Sequence, residues 1–197
     1  MIITTSMLKE RLCDYSNPMD KIKRLADKGN ILRLTNGIYE TDKSVDPCLL
    51  ASCILSPSYL SFEWALSYYG LIPERVIAIT SASFCNRKNK TFENYFGRYE
   101  YSDIPANAFA QGVIYLEHGK YIVKIATKEK AICDCLCKWR TARNIKELKE
   151  LLFDDKRIDE GEFAKCDFKL MKKLASLYNK TNLKMLIKLI RKEYENE

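Results

Sequence analysis

The side chains best equipped for chemistry in this 197-residue chain are eight cysteines, one histidine and a group of basic residues near the N-terminus. The cysteines stand at 13, 48, 53, 85, 133, 135, 137 and 166, with no C-x-x-C among them. Tetrahedral zinc takes four converging ligands, usually as two close pairs, so this spacing argues against a metal centre. Cys133, Cys135 and Cys137 fall on a predicted helix, where i, i+2, i+4 spacing turns the middle thiol away from its neighbours. The cysteines read as reduced, small core residues of a cytoplasmic protein. His118 is alone in a predicted turn and has no partner for general-base work. None of the glycine patterns that cradle phosphate or expose a serine nucleophile occurs among the 7 glycines. No catalytic residue, metal or cofactor is expected, and binding is favoured over catalysis.

The basic residues are more informative. Lys21, Arg24 and Lys28 recur at i, i+3 and i+7 on a predicted helix, which aligns them as one exposed stripe opposite Ile22, Leu25 and Ala26. Asn17 suits the N-cap of that helix, Pro18 its first position and Gly29 its end. A hairpin follows, with Ile31–Arg33 and Ile38–Tyr39 as strands around Asn36-Gly37, the strongest short hairpin signal. Arg33, Thr35 and Asn36 lie on or beside it. Asp20 and Asp27 on the same helix subtract from the positive charge. Only Met1 to Asn17 precede the basic helix, enough for one further helix over Ser6 to Tyr15.

Period and capping extend the reading along the chain. Asp46-Pro47 opens a helix to about Leu55, and Ser61 caps another from Phe62 to Tyr69, with Trp64 and Tyr68 to the side as core aromatics. Val76–Thr80, Gly97–Ser102, Gly112–Glu117 and Tyr121–Ile125 read as strands, rich in β-branched and aromatic residues. Arg87-Lys88-Asn89-Lys90 reads as a basic loop between the first two, and His118-Gly119 as a turn between the last two. Thr127 caps a helix from Lys128 to Trp139. Lys130 and Asp134 at i, i+4 are expected on its exposed side, contributing at most about 0.5 kcal/mol. Ile145–Leu152, Phe168–Tyr178 and Asn182–Tyr194 complete the helices, with Asp154 to Glu162 as an acidic loop. On the last helix Leu183, Leu186, Ile187 and Ile190 should be buried, with Lys184, Lys188, Arg191 and Lys192 on another face. The expected class is α+β: a small winged-helix-like module over 1–43, then a mixed domain over 44–197 with a mainly antiparallel sheet and flanking helices.

Net charge is +7, and its distribution matters more than its total. Residues 1–43 hold 8 basic against 6 acidic side chains, residues 44–167 are balanced, and residues 168–197 hold 8 against 3. Excess charge at the two ends favours an anionic partner for them. Nothing near the N-terminus reads as a signal peptide, and no apolar run approaches the roughly 20 residues a membrane span needs.

Three segments resemble the AbiEi antitoxin family of type IV toxin–antitoxin systems, which act in phage defence. They are LADKGNILRLTNGIY at Leu25–Tyr39, YLSFEWALSYYGLIPE at Tyr59–Glu74 followed by VIAITS at Val76–Ser81, and IATKEKAICDCL at Ile125–Leu136. With Phe92–Tyr101 between, they cover about residues 18–137 in the family's order; Lys128 stands where the family often has proline. The resemblance implies a winged-helix-like N-terminal domain that represses its own promoter by binding inverted repeats. It also implies a C-terminal domain that neutralises a nucleotidyltransferase-like toxin without forming a stable complex. Lys21, Arg24 and Lys28 would then meet DNA from the helix, and Arg33 and Asn36 from the wing. The cleft expected between the sheet and the Lys128–Trp139 helix is the candidate seat of antitoxicity. The alternative is a protein- or RNA-binding antitoxin whose short N-terminal module no longer reads DNA.

Overall fold

The computed structural model describes residues 1–84, 88–119 and 121–194. The N-terminal segment is built as β1 (Ile2–Thr4), α1 (Thr5–Arg11), α2 (Pro18–Asp27), β2 (Leu32–Thr35) and β3 (Ile38–Glu40). Sheet order is β1-β3-β2, all antiparallel, so the hairpin is the larger part of a three-stranded sheet and not a free two-stranded ribbon. Three residues are too few for β1 to show a period-2 pattern. Its existence follows from Ile3, which is buried with Leu8, Ile22, Ile31 and Tyr39 in a small core of their own.

A 3-10 turn at Pro47–Leu50 leads into α3 (Ala51–Ile54), then β4 (Ser58–Leu60) and α4 (Phe62–Tyr68). The chain leaves β4 through Phe62, a buried aromatic at φ +57°. That left-handed conformation costs on the order of 1–3 kcal/mol and persists only where neighbours fix it. Thr80 does so: its hydroxyl donates to the Ser61 carbonyl at 2.7 Å and accepts from the Trp64 N–H at 3.1 Å. The remaining strands are β5 (Ile79–Ser83), β6 (Lys90–Asn94) and β7 (Gly97–Asp103), then, after α5 (Ala106–Phe109), β8 (Val113–His118) and β9 (Tyr121–Ala126). They form one six-stranded sheet in the order β6-β7-β5-β4-β9-β8. The pairs β4–β5, β6–β7 and β8–β9 are antiparallel, while β4–β9 and β5–β7 are parallel. The fold is α+β with one small antiparallel and one mixed sheet. The strand expected from Val76 starts only at Ile79, and β4 and β6 were not expected at all. In the basic loop, Lys88 is exposed, Lys90 opens β6, and Arg87, with Cys85, lies outside the described residues.

Helix α6 (Lys128–Lys138) crosses behind the sheet, followed by α7 (Ile145–Lys149), which continues as a π-helical turn over Glu150–Asp155. The expected acidic loop contains α8 (Glu160–Ala164), capped by Asp159. Helices α9 (Phe168–Ala175) and α10 (Thr181–Glu193) close the chain, and on α10 Leu189 takes the buried place expected for Ile187.

Two expectations about α6 are overturned together. Every residue from Glu129 to Leu136 is buried, so no cleft separates this helix from the sheet. Lys130 and Asp134 are 0% exposed and form an ion pair at 3.0 Å in the interior. The ammonium of Lys130 also donates to the Ala108 carbonyl at 2.8 Å and to the Tyr178 hydroxyl. The Asp134 carboxylate accepts from Tyr178 on one oxygen, and from Tyr59 at 2.9 Å and Ser61 at 2.7 Å on the other. Three ammonium protons and both carboxylate oxygens are thereby used, which is the condition for a buried pair to be tolerated. Burial, then the neighbouring carboxylate, raises the Tyr59 and Tyr178 phenols, keeping both as donors.

Replacing Lys130 with Met should destabilise the protein by ~3–5 kcal/mol, because Asp134 is left buried without its counter-ion. The double variant Lys130→Met/Asp134→Leu should recover a large part of that loss. Urea unfolding of both variants measures it, and equal losses in single and double variants would contradict the pairing.

Candidate nucleic-acid interface

Helix α2 begins where its capping residues dictate. Asn17 accepts from the Asp20 N–H at 3.3 Å, Pro18 takes the first turn, and Gly29 closes the helix at φ +67°. Ile22 points into the small core beside Leu25 and Ala26, which leaves Asp20, Lys23, Arg24, Asp27 and Lys28 exposed. Arg24 and Lys28 are therefore presented as the stripe requires. Lys21 is not: it is half-buried, with its ammonium 4.8 Å from the centre of the Tyr15 ring. A cation over an aromatic face is held by the ring quadrupole, so Lys21 is engaged within the module. Lys23 is an exposed base that the stripe omitted; it lies beside the groove between α2 and the small sheet, where Arg33 also sits. On this face Lys23, Arg24 and Lys28 stand against Asp20 and Asp27, a net of only +1.

The hairpin turn brings Arg33 and Asn36 together, and the Arg33 guanidinium donates to the Asn36 side-chain carbonyl. Both are exposed. The turn is short and anchored at its base, where the Thr5 N–H donates to the Gly37 carbonyl at 2.9 Å. Gly37 is at φ +79°, which only a residue without Cβ adopts cheaply, so Asn36-Gly37 fixes the turn.

The module is clamped to the larger domain on two sides. Asn94 at the end of β6 donates to the Leu34 carbonyl of β2 at 3.1 Å, and Leu34 is part of the main core. Opposite, the Tyr121 hydroxyl donates to Glu40 at 2.7 Å. Glu40 also accepts from the Thr41 and Asp42 N–H groups at 2.7 and 2.8 Å and pairs with the Met1 ammonium. Burial raises the Glu40 carboxyl, but the ammonium and these hydrogen bonds outweigh it, and its pKa falls below the usual 4.5.

Two other surfaces stand out. Trp64 is half-buried and packs against the main core as expected, whereas Tyr68 is exposed; the two rings stack with centres 5.6 Å apart. With Arg75, Val76, Phe96 and the 91%-exposed Ile77 they flank an open groove. Lys184, Lys188, Arg191 and Lys192 are all exposed on α10, as their spacing indicates. The seven described cysteines are free thiols. Burial raises Cys48 and Cys166 to about 12 and lifts Cys53, Cys133, Cys135 and Cys137 as well, which removes the thiolate a nucleophile needs. Among the described residues no cluster of three or more His, Cys, Asp or Glu is arranged to hold a metal, and no helix is long and apolar enough to cross a membrane. No family model matches the chain, and no curated protein matches it either.

The Glu40 clamp sets a pH dependence. A carboxyl with a depressed folded pKa stabilises the protein above its unfolded value, and that contribution is lost as pH falls through the folded value. The stability difference between wild type and Glu40→Gln should therefore be full above pH 4.5 and shrink below it. Denaturant titrations at several pH values from neutrality downward check this, and a constant difference would count against it.

Proposed function

We propose that the chain is the antitoxin of a type IV toxin–antitoxin system and represses its own promoter by binding DNA through residues 1–43. The observation that carries the reading is the module's architecture. Two packed helices are followed by a hairpin, and the second helix, α2, carries Arg24 and Lys28 outward. A helix-turn-helix reader needs such a pair, with its second helix entering the major groove. The helix ahead of α2 and the strand β1, which pairs with the last strand of the hairpin, supply that support within seventeen residues. This arrangement fits a winged-helix-like reader whose wing is tied into a three-stranded sheet. Arg24, Lys28 and Lys23 are the groove and phosphate contacts, and Arg33 with Asn36 reaches the flanking backbone from the short wing. Lys21 acts by packing on Tyr15. No residue is assigned a catalytic role, and the neutralised partner is a nucleotidyltransferase-like toxin, in keeping with the AbiEi resemblance.

A protein-binding role draws on a separate feature, the surface groove of Trp64, Tyr68 and Ile77, which is aromatic where α2 is charged. Under that reading the protein co-purifies with its toxin and leaves its promoter unshifted.

A mobility shift on DNA from upstream of the operon, containing its inverted repeats, distinguishes the two. Affinity should fall with salt by about 0.9 log units per log unit of salt for each phosphate neutralised. Arg24→Glu with Lys28→Glu should abolish the shift, while Lys21→Gln should weaken it far less. Equal affinity for unrelated DNA would reduce the interaction to nonspecific charge.

A further inference from the structure

The two outer strands of the large sheet are treated differently. At one end, β6 begins with Lys90 and is met by β2 of the N-terminal module, to which Asn94 is bonded. At the other end, β8 has no strand beyond it among the described residues. Its sequence, Val-Ile-Tyr-Leu-Glu-His, carries one acidic residue but no lysine, proline or bulge, the stronger of the devices that stop an edge from pairing. Ile114 and Tyr115 are 40% and 65% exposed there, and Ile122 on the neighbouring strand is 60% exposed.

The direction of the free backbone groups follows from the ladder. The Thr127 N–H donates to the Gly112 carbonyl at 2.8 Å, so Gly112 faces β9. Because successive residues alternate, Ile114, Leu116 and His118 face β9 as well, and Val113, Tyr115 and Glu117 turn their N–H and C=O groups outward. The geometry points to a two-fold dimer in which β8 pairs antiparallel with β8 of a second copy, centred on Tyr115.

Self-pairing in this register is complementary at each position. Tyr115 meets its own counterpart in a hydrogen-bonded pair, and Val113 meets Glu117 on either side, giving about six backbone hydrogen bonds in all. No like charges are directly opposed. On the core-facing side, Ile114 lies opposite Leu116 of the second copy. Since Ile114 pairs with Ile125 and Leu116 with Val123, an unbroken apolar row of Ile125, Ile114, Leu116 and Val123 runs across the junction. On the other face each Tyr115 has Lys124 beside it, its ammonium 5.6 Å from the ring centre. This flanks the paired rings with cations placed outside them. A second copy of the chain is favoured over an unrelated strand because the two-fold requires nothing beyond the residues already present. The inference stands independently of DNA binding, although a two-fold dimer would carry two α2 helices related as inverted repeats are.

Sedimentation equilibrium of the full chain tests it. Wild type at tens of micromolar should sediment at about twice its 22.9 kDa. Tyr115→Pro removes an N–H that points to solvent in the isolated chain, where proline is tolerated on an edge strand. It should return the mass to 22.9 kDa with an unchanged circular dichroism spectrum. Tyr115→Lys, which opposes like charges at the two-fold, should do the same if the proline variant folds poorly. A wild type that stays at the monomer mass up to about 100 μM, or a folded Tyr115 variant that stays dimeric, overturns the proposal.

Discussion

The buried pair of Lys130 and Asp134 is the constraint on which the larger domain depends. Its partners come from four places: Tyr59 and Ser61 at the end of β4, Ala108 in α5, α6 itself, and Tyr178 just beyond α9. An unsatisfied ammonium or carboxylate in this interior costs several kcal/mol, so each segment must arrive for the others to be tolerable. Apolar packing alone accepts many near-equivalent arrangements, whereas this network accepts one set of partners. Gly112 shows how closely the parts fit. A Cβ there would stand 3.0 Å from both the Lys130 Cβ and a Leu174 methyl, and its φ of +70° excludes an ordinary residue as well. Asn182 performs a similar task at the other end of α6. It donates to the Leu136 and Arg140 carbonyls, each at 3.0 Å, and accepts from the Ala142 N–H at 2.8 Å, fixing α10 against the helix terminus.

With the larger domain so fixed, the N-terminal module has little freedom of its own. Its private core is five buried residues, small for an independent unit, and Leu34 belongs instead to the main core. The hydrogen bonds from Asn94 to Leu34 and from Tyr121 to Glu40 approach it from two separate strands of the six-stranded sheet, the edge strand β6 and the inner strand β9. Whatever α2 binds is therefore held in a set orientation to the sheet. A change that loosens β6 or β9 would reach the basic face without touching it.

Local signals in the sequence were reliable where they answered to local physics. Asn17, Pro18 and Gly29 bound α2 to within a residue or two, and Thr127 opens α6 by accepting from the Lys130 N–H. The alternation at Gly97–Ser102 and Tyr121–Ile125 marks β7 and β9 almost to their ends. The failures have a common cause in long-range contacts. Helical periodicity assigns one buried stripe, which suits a helix on the surface. Helix α6 is enclosed by α4, α9 and α10 as well as by the sheet, so Lys130 and Asp134, spaced like an exposed pair, are interior. Their partners Tyr59 and Tyr178 lie 75 and 44 residues from Asp134, beyond any sequence window. The short strands β1 and β4 exist because neighbours pair with them, and the two tethers at the basic face, Tyr15 on Lys21 and Asn36 on Arg33, depend on turns whose geometry spacing does not reveal.

Under the proposed role, the charge on that face would limit how DNA is held. One module offers Lys23, Arg24 and Lys28 with Arg33 nearby, opposed by Asp20 and Asp27. Tight binding at physiological salt usually rests on more phosphate contacts than so few side chains supply. Two modules joined rigidly would double the contacts and, by making the second engagement intramolecular, raise affinity well beyond the sum. The exposed basic residues of α10 carry more of the net charge than α2 does, but that helix is separated from the module in sequence and packs on α9, α7 and α6. Under the proposed DNA-binding role, sequence discrimination would fall to the few side chains of α2 and the hairpin, while strength would have to come from pairing two chains or from the basic C-terminal helices. Of these, pairing through β8 would leave the geometry of α2 undisturbed.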